Sequence, residues 1–169
     1  MTRAVNTALA GSGGVLQVVS TAKNDAFTTT STTMVDITGL SVTITPTSSS
    51  SKFLIIANIS GSMDSWSDGR QFFNLVRNST NAITGTGGSS FNITAMQNLY
   101  ANNTGNTAEN TSYVVINYLD SPATTSSLTY KIQCAKQLAV TATPLAINRQ
   151  SSSTTAVGVS TITVMEIAG

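Results

Sequence analysis

Threonine is the residue type that most constrains what this chain can fold into. The 169 residues include 28 Thr and 23 Ser, whereas Glu occurs twice and Lys four times. Thr is β-branched and favours strands, and here it is interleaved with Val, Ile, Phe and Tyr. A disordered chain would contain few β-branched and aromatic residues. The composition therefore predicts an ordered all-β protein.

Apolar and polar residues alternate clearly between Leu40 and Thr45, with Leu40, Val42 and Ile44 on one face. Turn signals recur about every 8–15 residues, which predicts roughly eight to ten strands in an antiparallel β-sandwich of jelly-roll-like type. The expected strands are Val15–Lys23, Met34–Ile37, Leu40–Thr45, Lys52–Ser60, Gln71–Arg77, Thr111–Leu119, Leu128–Gln137, Ala139–Asn148 and Val157–Ala168.

The segments between these strands contain turn residues. Gly39 predicts a turn, and Pro144 predicts an edge strand or a bulge. Phe91–Tyr100 fits either a strand or a short helix. Three polar segments predict loops: Gly61–Gly69, Asn78–Ser90 and Ala101–Asn110.

Glycines separate the first residues from the rest of the chain. Residues 1–14 end in Gly-Ser-Gly-Gly and predict a flexible arm, whereas residues 15–169 predict one domain. The arm contains Arg3, Val5 and Leu9, which are sufficient to contact a groove or strand of a neighbouring subunit. We therefore expect the arm to take part in assembly.

The chain lacks the residues that most catalytic and metal sites require. Histidine is absent, which excludes Ser-His-Asp and Cys-His catalysis. Cys134 is the only cysteine, so a cysteine-based zinc site is excluded, and we expect this residue to be buried as a small hydrophobe. No phosphate-binding glycine motif is present. We expect neither an enzyme nor a bound cofactor or metal.

Charge and hydropathy exclude two classes of partner. The net charge is +1, and the eight basic residues are scattered between Arg3 and Arg149, so nucleic acid is not an expected partner. The longest strongly apolar run, Phe53–Ala57, is far too short to span a membrane.

One segment has the composition of a contact site. Asp64, Trp66, Asp68 and Arg70 occur within seven residues, and the indole ring could stack on a sugar while the two acids could hydrolyse a glycoside. The alternative, which we favour, is a solvated loop anchored by a buried Trp. Tyr100 is a second candidate contact aromatic, and its alternative is a core residue that ends a strand.

Three expected strands are apolar on both faces: Lys52–Ser60, Thr111–Leu119 and Val157–Ala168. A two-sheet sandwich normally exposes one face of each sheet to water. Either a loop of the same chain or another subunit must cover the extra apolar surface. We expect a homo-oligomer, with a trimer favoured.

Six stretches of strand and turn residues bear on the family: Gly14–Lys23, Phe27–Pro46, Ser51–Ile55, Leu75–Thr80, Asp120–Ala123 and Ser160–Ala168. Together they resemble a family of tailed-bacteriophage virion proteins that is common in phages of aquatic bacteria. The resemblance implies a β-sandwich on the particle surface, usually trimeric, without transferable catalytic residues. It also implies assembly in the bacterial cytoplasm against the major capsid protein or other virion proteins, with a host surface glycan as a further candidate partner.

Four functions remain open at this point. The leading hypothesis is a capsid decoration or cement protein, because a chain with only a short arm suits that role. The close alternative is a tail fibre or receptor-binding tip. A carbohydrate-binding module would rest on Trp66, and a glycosidase would rest on Asp64 and Asp68.

Overall fold

The computed structural model describes residues 13–64, 69–83, 85, 93–99, 109–137, 144–150 and 158–169. Strands dominate these residues, and none of the described residues is helical. The strands are β1 Val15–Lys23, β2 Phe27–Thr29, β3 Val35–Ile44, β4 Lys52–Asp64, β5 Gly69–Arg77, β6 Thr80–Ile83, β7 Ala95–Leu99, β8 Glu109–Asp120, β9 Leu128–Lys136, β10 Leu145–Ile147 and β11 Ser160–Ile167.

The first sheet, sheet A, is organised by β4. Strand β8 pairs with one edge of β4, from Phe53 to Asp64. The other edge of β4 pairs first with β11 and then with β10, so these two strands form one interrupted row. Strands β1 and β2 pair with β11 and β10 respectively and form the outermost row. Sheet A therefore has four antiparallel rows.

The second sheet, sheet B, has the same plan. Strand β9 lies between β3 and β5. The free edge of β5 pairs with β6 near Arg77 and with β7 near Gly69, so β6 and β7 again share one row. Sheet B therefore also has four antiparallel rows.

Numbering the rows along the chain shows how the two sheets are related. The first row, β1 and β2, pairs with the last, β10 and β11; β3 pairs with β9, β4 with β8, and β5 with β6 and β7. This is a long hairpin rolled up on itself, the arrangement of a jelly roll. The structure confirms the predicted all-β antiparallel sandwich of jelly-roll type.

The core lies between the two sheets and follows strand alternation. On β4, every second residue from Phe53 to Ile59 is fully buried. Neighbouring strands of sheet A and facing strands of sheet B complete this layer, and the buried side chains they contribute include Leu40, Phe73, Leu75, Tyr130, Ile132, Ile147, Ile162 and Val164. Burial of such side chains contributes about 1.5–3 kcal/mol each, so this layer is the main stabilising element.

Gly39 does not form the predicted turn. It lies inside β3 with φ +81°, and the register with β9 shifts between Asp36 and Ser41. Ile37 and Leu40 are three residues apart and would face opposite sides of a regular strand, yet both are buried. The bulge brings both into the core, and a glycine allows it at no steric cost.

Several predicted strand limits also change. Strand β4 continues into the predicted loop Gly61–Gly69, strand β6 forms within the predicted loop Asn78–Ser90, and β8 begins inside the predicted loop Ala101–Asn110. The ambiguous segment Phe91–Tyr100 contains strand β7. These extensions have the composition of turns, but their backbones pair with long neighbouring strands, and this pairing makes them strands.

Pro144 predicted an edge strand or a bulge, but strand β10 is not an edge strand. It pairs with β2 on one side and with β4 on the other. Pro144 immediately precedes the strand, so its missing N–H removes no ladder hydrogen bond. The residues of the predicted strand before Pro144 lie outside the described residues.

Asn148 joins the interrupted rows of sheet A. Its backbone is left-handed, with φ +62°, and its side chain is completely buried. The amide nitrogen donates to the carbonyls of Lys23 and Asp25, and the amide oxygen accepts the Ser160 hydroxyl at 2.6 Å. One side chain therefore links the end of β1, the start of β11 and the end of β10.

Thr94 has the corresponding role in sheet B. Its hydroxyl donates to the carbonyl of Ile83 and accepts the backbone N–H of Leu75. Its own N–H donates to the carbonyl of Phe73. These bonds replace the ladder where the row passes from β6 to β7.

Asn148→Gly should destabilise the protein by about 2–4 kcal/mol, because glycine accepts the left-handed backbone but leaves several buried polar groups without a partner. The matched control is Asn78→Gly, which also has positive φ but is exposed. Urea denaturation of both variants provides the test. Equal losses would show that Asn148 has no special role.

Candidate functional site

The two ends of the sandwich differ in their connections. At one end, here called the loop end, β4 finishes and β5 begins, β7 finishes and β8 begins, and β9 finishes. Strand pairing places these strand ends together, since Asp64 lies opposite Glu109 and Gly69 lies opposite Leu99. The connecting segments 65–68, 100–108 and 138–143 lie outside the described residues.

Two of the predicted contact residues, Asp64 and Arg70, belong to this end. Asp64 is the last residue of β4, and Arg70 is the second residue of β5. Arg70 is half-buried, and its carbonyl accepts the backbone N–H of Gln137 at 3.1 Å. Trp66, Asp68 and Tyr100 lie outside the described residues, so their role in contact stays a prediction.

The chain neighbours of Asp68 and Tyr100 are nevertheless informative. Gly69 follows Asp68, Leu99 precedes Tyr100, and these two neighbours are direct Cα partners in sheet B. The sequence did not reveal this pairing, because the two segments are about 30 residues apart and β7 was ambiguous. The structure thus brings to one place the strand ends that bracket both predicted aromatic segments.

A buried polar row closes the core beneath the loop end. Gln97, Gln71 and Lys136 are direct neighbours across β7, β5 and β9, and all three are buried. Within the part of the chain that the structure describes, neither polar atom of the Gln71 side chain makes a hydrogen bond. Gly61 of β4 faces this amide, and any side chain there would collide with its oxygen. An unsatisfied buried amide costs stability and marks this end as distinct from the rest of the core.

The opposite end is closed by an ion pair that connects the sheets. Asp120 ends β8 in sheet A and is almost completely buried. Its carboxylate accepts Arg77 Nη1 at 2.6 and 2.7 Å and the Tyr130 hydroxyl at 2.7 Å, both from sheet B. The hydrogen bond to Asp120 raises the pKa of Arg77, and burial raises that of Tyr130. Both oxygens of the Asp120 carboxylate have partners, which indicates a structural role for this group.

Glu166 forms a second buried carboxylate. It lies on the inner side of β11, in phase with Ile162 and Val164, and has no solvent exposure. One oxygen accepts Gln17 Nε2 at 2.5 Å, and the other accepts the N–H and hydroxyl of Thr47, both at 2.7 Å. Burial opposes ionisation, but the neighbouring Ser51 hydroxyl and the bonds from Gln17 and Thr47 outweigh it and lower the pKa to about 2.

These carboxylates were not identified from the sequence as fixed points of the fold. The sequence did contain a signal, which is the position of each acid in the strand alternation. Glu166 continues the alternation of Ile162 and Val164. Asp120 continues that of Ile116 and Tyr118. An acid in phase with core residues indicates a buried, hydrogen-bonded carboxylate.

Cys134 is confirmed as a buried residue. It has no solvent exposure and no disulfide partner, and burial raises its pKa to about 12. A thiol with this pKa stays protonated at neutral pH and is a poor nucleophile.

Among the residues that the structure describes, no three Cys, Asp or Glu side chains come together as a group that could hold a metal ion. No helix long and apolar enough to cross a membrane occurs within the ranges described above.

The outward side of sheet A carries apolar residues in every row. Val18, Met165, Leu54 and Leu119 form one continuous line of direct Cα partners across β1, β11, β4 and β8. Val18 and Leu119 are 54% and 50% exposed. Ile56 and Val115 lie beside this line, on the same outward side of β4 and β8. We call these six residues the outer apolar face. The three strands predicted to be apolar on both sides all contribute to it.

Comparisons with known proteins add little to these observations. No family model and no curated protein matches the chain. One similar solved structure is that of infectious bursal disease virus, Gx strain, with TM-score 0.38 and 15% identity over 89% of this chain and 41% of that one. Another is the VP2 subviral particle of infectious bursal disease virus, with TM-score 0.34 and 10% identity over 90% of this chain and 37% of that one. This chain spans well under half of both, and similarity this distant carries no argument about function.

Acid should weaken the folded protein partly through Glu166. Its folded pKa of about 2 lies below the ordinary glutamate value of 4.5, so its stabilising contribution is present above about pH 5 and is lost as the pH falls towards 2. Glu166→Gln should be less stable at neutral pH and should lose less stability in this window. Thermal melts across the window test this. The control is Asp36→Asn, because its ion pair with Lys131 is partly exposed on both sides and stabilises little, so its profile should stay close to that of the unmodified chain.

Gln71→Met should raise the free energy of unfolding by about 1 kcal/mol or more, because the substitution removes two unsatisfied buried polar atoms while keeping a similar shape. Gln133→Met is the control, since the Gln133 amide donates to Asp36 at 2.7 Å. A marked loss of stability in Gln71→Met would show that the amide has a partner in solution.

Proposed function

We propose that this chain is a non-enzymatic structural protein of a bacteriophage particle, located on its surface as a capsid decoration or cement protein. The observation that carries the proposal is a jelly roll with an apolar sheet face directed outward. Jelly rolls occur in capsid proteins, lectins and cupins, so the fold alone does not select a function. The outer apolar face favours an assembling protein, because large exposed apolar patches mark interaction surfaces.

The sequence supports the same proposal. Its strand and turn segments resemble tailed-phage virion proteins, and several of them form strands of the sandwich, including β1, β3 and β11. The low charge, at 9% of residues, suits a surface that packs against copies of itself and against other particle proteins such as the major capsid protein. Assembly would take place in the cytoplasm of the bacterial host.

A receptor-binding role, on a tail fibre or tip, is the second candidate. It is favoured by the pairing of Gly69 with Leu99, which brings together the strand ends next to the segments that carry Trp66 and Tyr100. If Trp66 and Tyr100 lie near these strand ends, their rings could stack on the rings of a host glycan, as in a carbohydrate-binding module.

Quantitative mass spectrometry of purified particles that carry the protein separates these roles. A decoration protein should be present in numbers comparable with the major capsid protein, and immunogold labelling should cover the shell. Few copies, with label confined to the tail, would favour the fibre. Absence from purified particles would contradict both roles.

A glycan array tests the second candidate directly. Trp66→Ala should abolish glycan binding without unfolding the protein if the segment is a contact site. Loss of folding instead would favour a buried Trp that anchors the loop.

A further inference from the structure

We propose that the outer apolar face is the surface through which two copies of this chain associate. The inference deepens the proposed function, because it assigns the surface by which the particle protein forms its oligomer. It rests on the size, width and charge of the outward side of sheet A.

The size of the face matches a protein partner. Strands β1 and β11 pair over eight positions, and β4 and β8 pair over twelve. The four strands lie side by side over about seven of these positions, and with roughly 3.4 Å per residue and 4.8 Å between strands they present about 450 Å² of outward sheet surface. Stable interfaces bury about 800 Å² per partner, so this surface supplies more than half of one.

The width of the face argues against a peptide as the occupant. Four rows span about 19 Å, whereas a single added helix is about 10 Å wide. The apolar line from Val18 to Leu119 crosses all four rows, so a narrow segment would leave part of it in water. A second sheet of the same width covers the whole line.

The charge of the face permits association with itself. In a symmetric contact each residue lies near copies of the same region, so a charged face would repel itself. Lys52, at the rim, is the one charged residue among the described outward side chains of β1, β4, β8 and β11. Its polar neighbours on the face are uncharged, and they include Ser20, Asn117 and Thr163.

The exposed positions allow substitutions that do not disturb the core. Val115 and Leu119 are 53% and 50% exposed on β8. Their replacement by Lys places two charges on the face while leaving the inward residues of β8 unchanged. Met96 of β7, 58% exposed in sheet B, provides the control Met96→Lys.

The experiment is light scattering of the full chain over a range of concentrations, with thermal melts to verify folding. The unmodified protein and Met96→Lys should both show at least a dimer of the 17.5 kDa chain. The double variant Val115→Lys, Leu119→Lys should melt cooperatively and associate at least tenfold more weakly. A monomeric unmodified protein, or equal dissociation of the control, would overturn the inference.

The remaining candidate for covering the face is the chain's own segment 1–12. If that segment were the occupant, the full chain would be monomeric and deletion of residues 2–12 would cause association, which would also overturn the inference. A monomer that is nevertheless found on particles would leave the proposed function standing. An oligomer that is absent from particles would contradict the function and not the interface.

Discussion

The pairing of β4 on both edges is the constraint on which the rest of the structure depends. Its backbone groups are used by β8 on one side and by β11 and β10 on the other. A strand paired in this way fixes the register of every other row in sheet A. Because register decides which side chains face inward, it also fixes the core and the outer apolar face together.

Polar groups close the core at both ends, but in different ways. Asp120 has several partners from the opposite sheet, and breaking such a buried pair would cost several kcal/mol. At the loop end, the Gln71 amide makes no hydrogen bond within the described residues, so buried polar groups are less well paired there. Proteins tolerate local cost of this kind most often next to functional loops. The asymmetry distinguishes the end that holds the sandwich together from the end that carries the candidate contact segments.

Alternation along the chain was sufficient to predict the fold class and most of the strands, and β1 is placed where the sequence indicated. The errors have a common cause. Gly39, Pro144 and the polar residues around Thr80 are turn residues when considered locally, but long-range backbone pairing places them inside or beside strands. The candidate site was harder still to predict from the sequence, because the pairing of Gly69 with Leu99 depends on contacts between distant segments. The buried role of Asn148 left no periodic signal, since its importance arises from where two interrupted rows meet.

The interrupted rows have a consequence for how such a chain can change. Asn148 and Thr94 each supply hydrogen bonds where a row is interrupted, between β10 and β11 and between β6 and β7. The register on both sides of each gap is set by an uninterrupted neighbour, β4 or β5, and not by the residues that lie between. The length of the intervening segment is therefore uncoupled from the alignment of the sheet, and lengthening a loop adds little closure entropy. Both gaps could therefore accept a longer intervening segment while the two sheets keep their register.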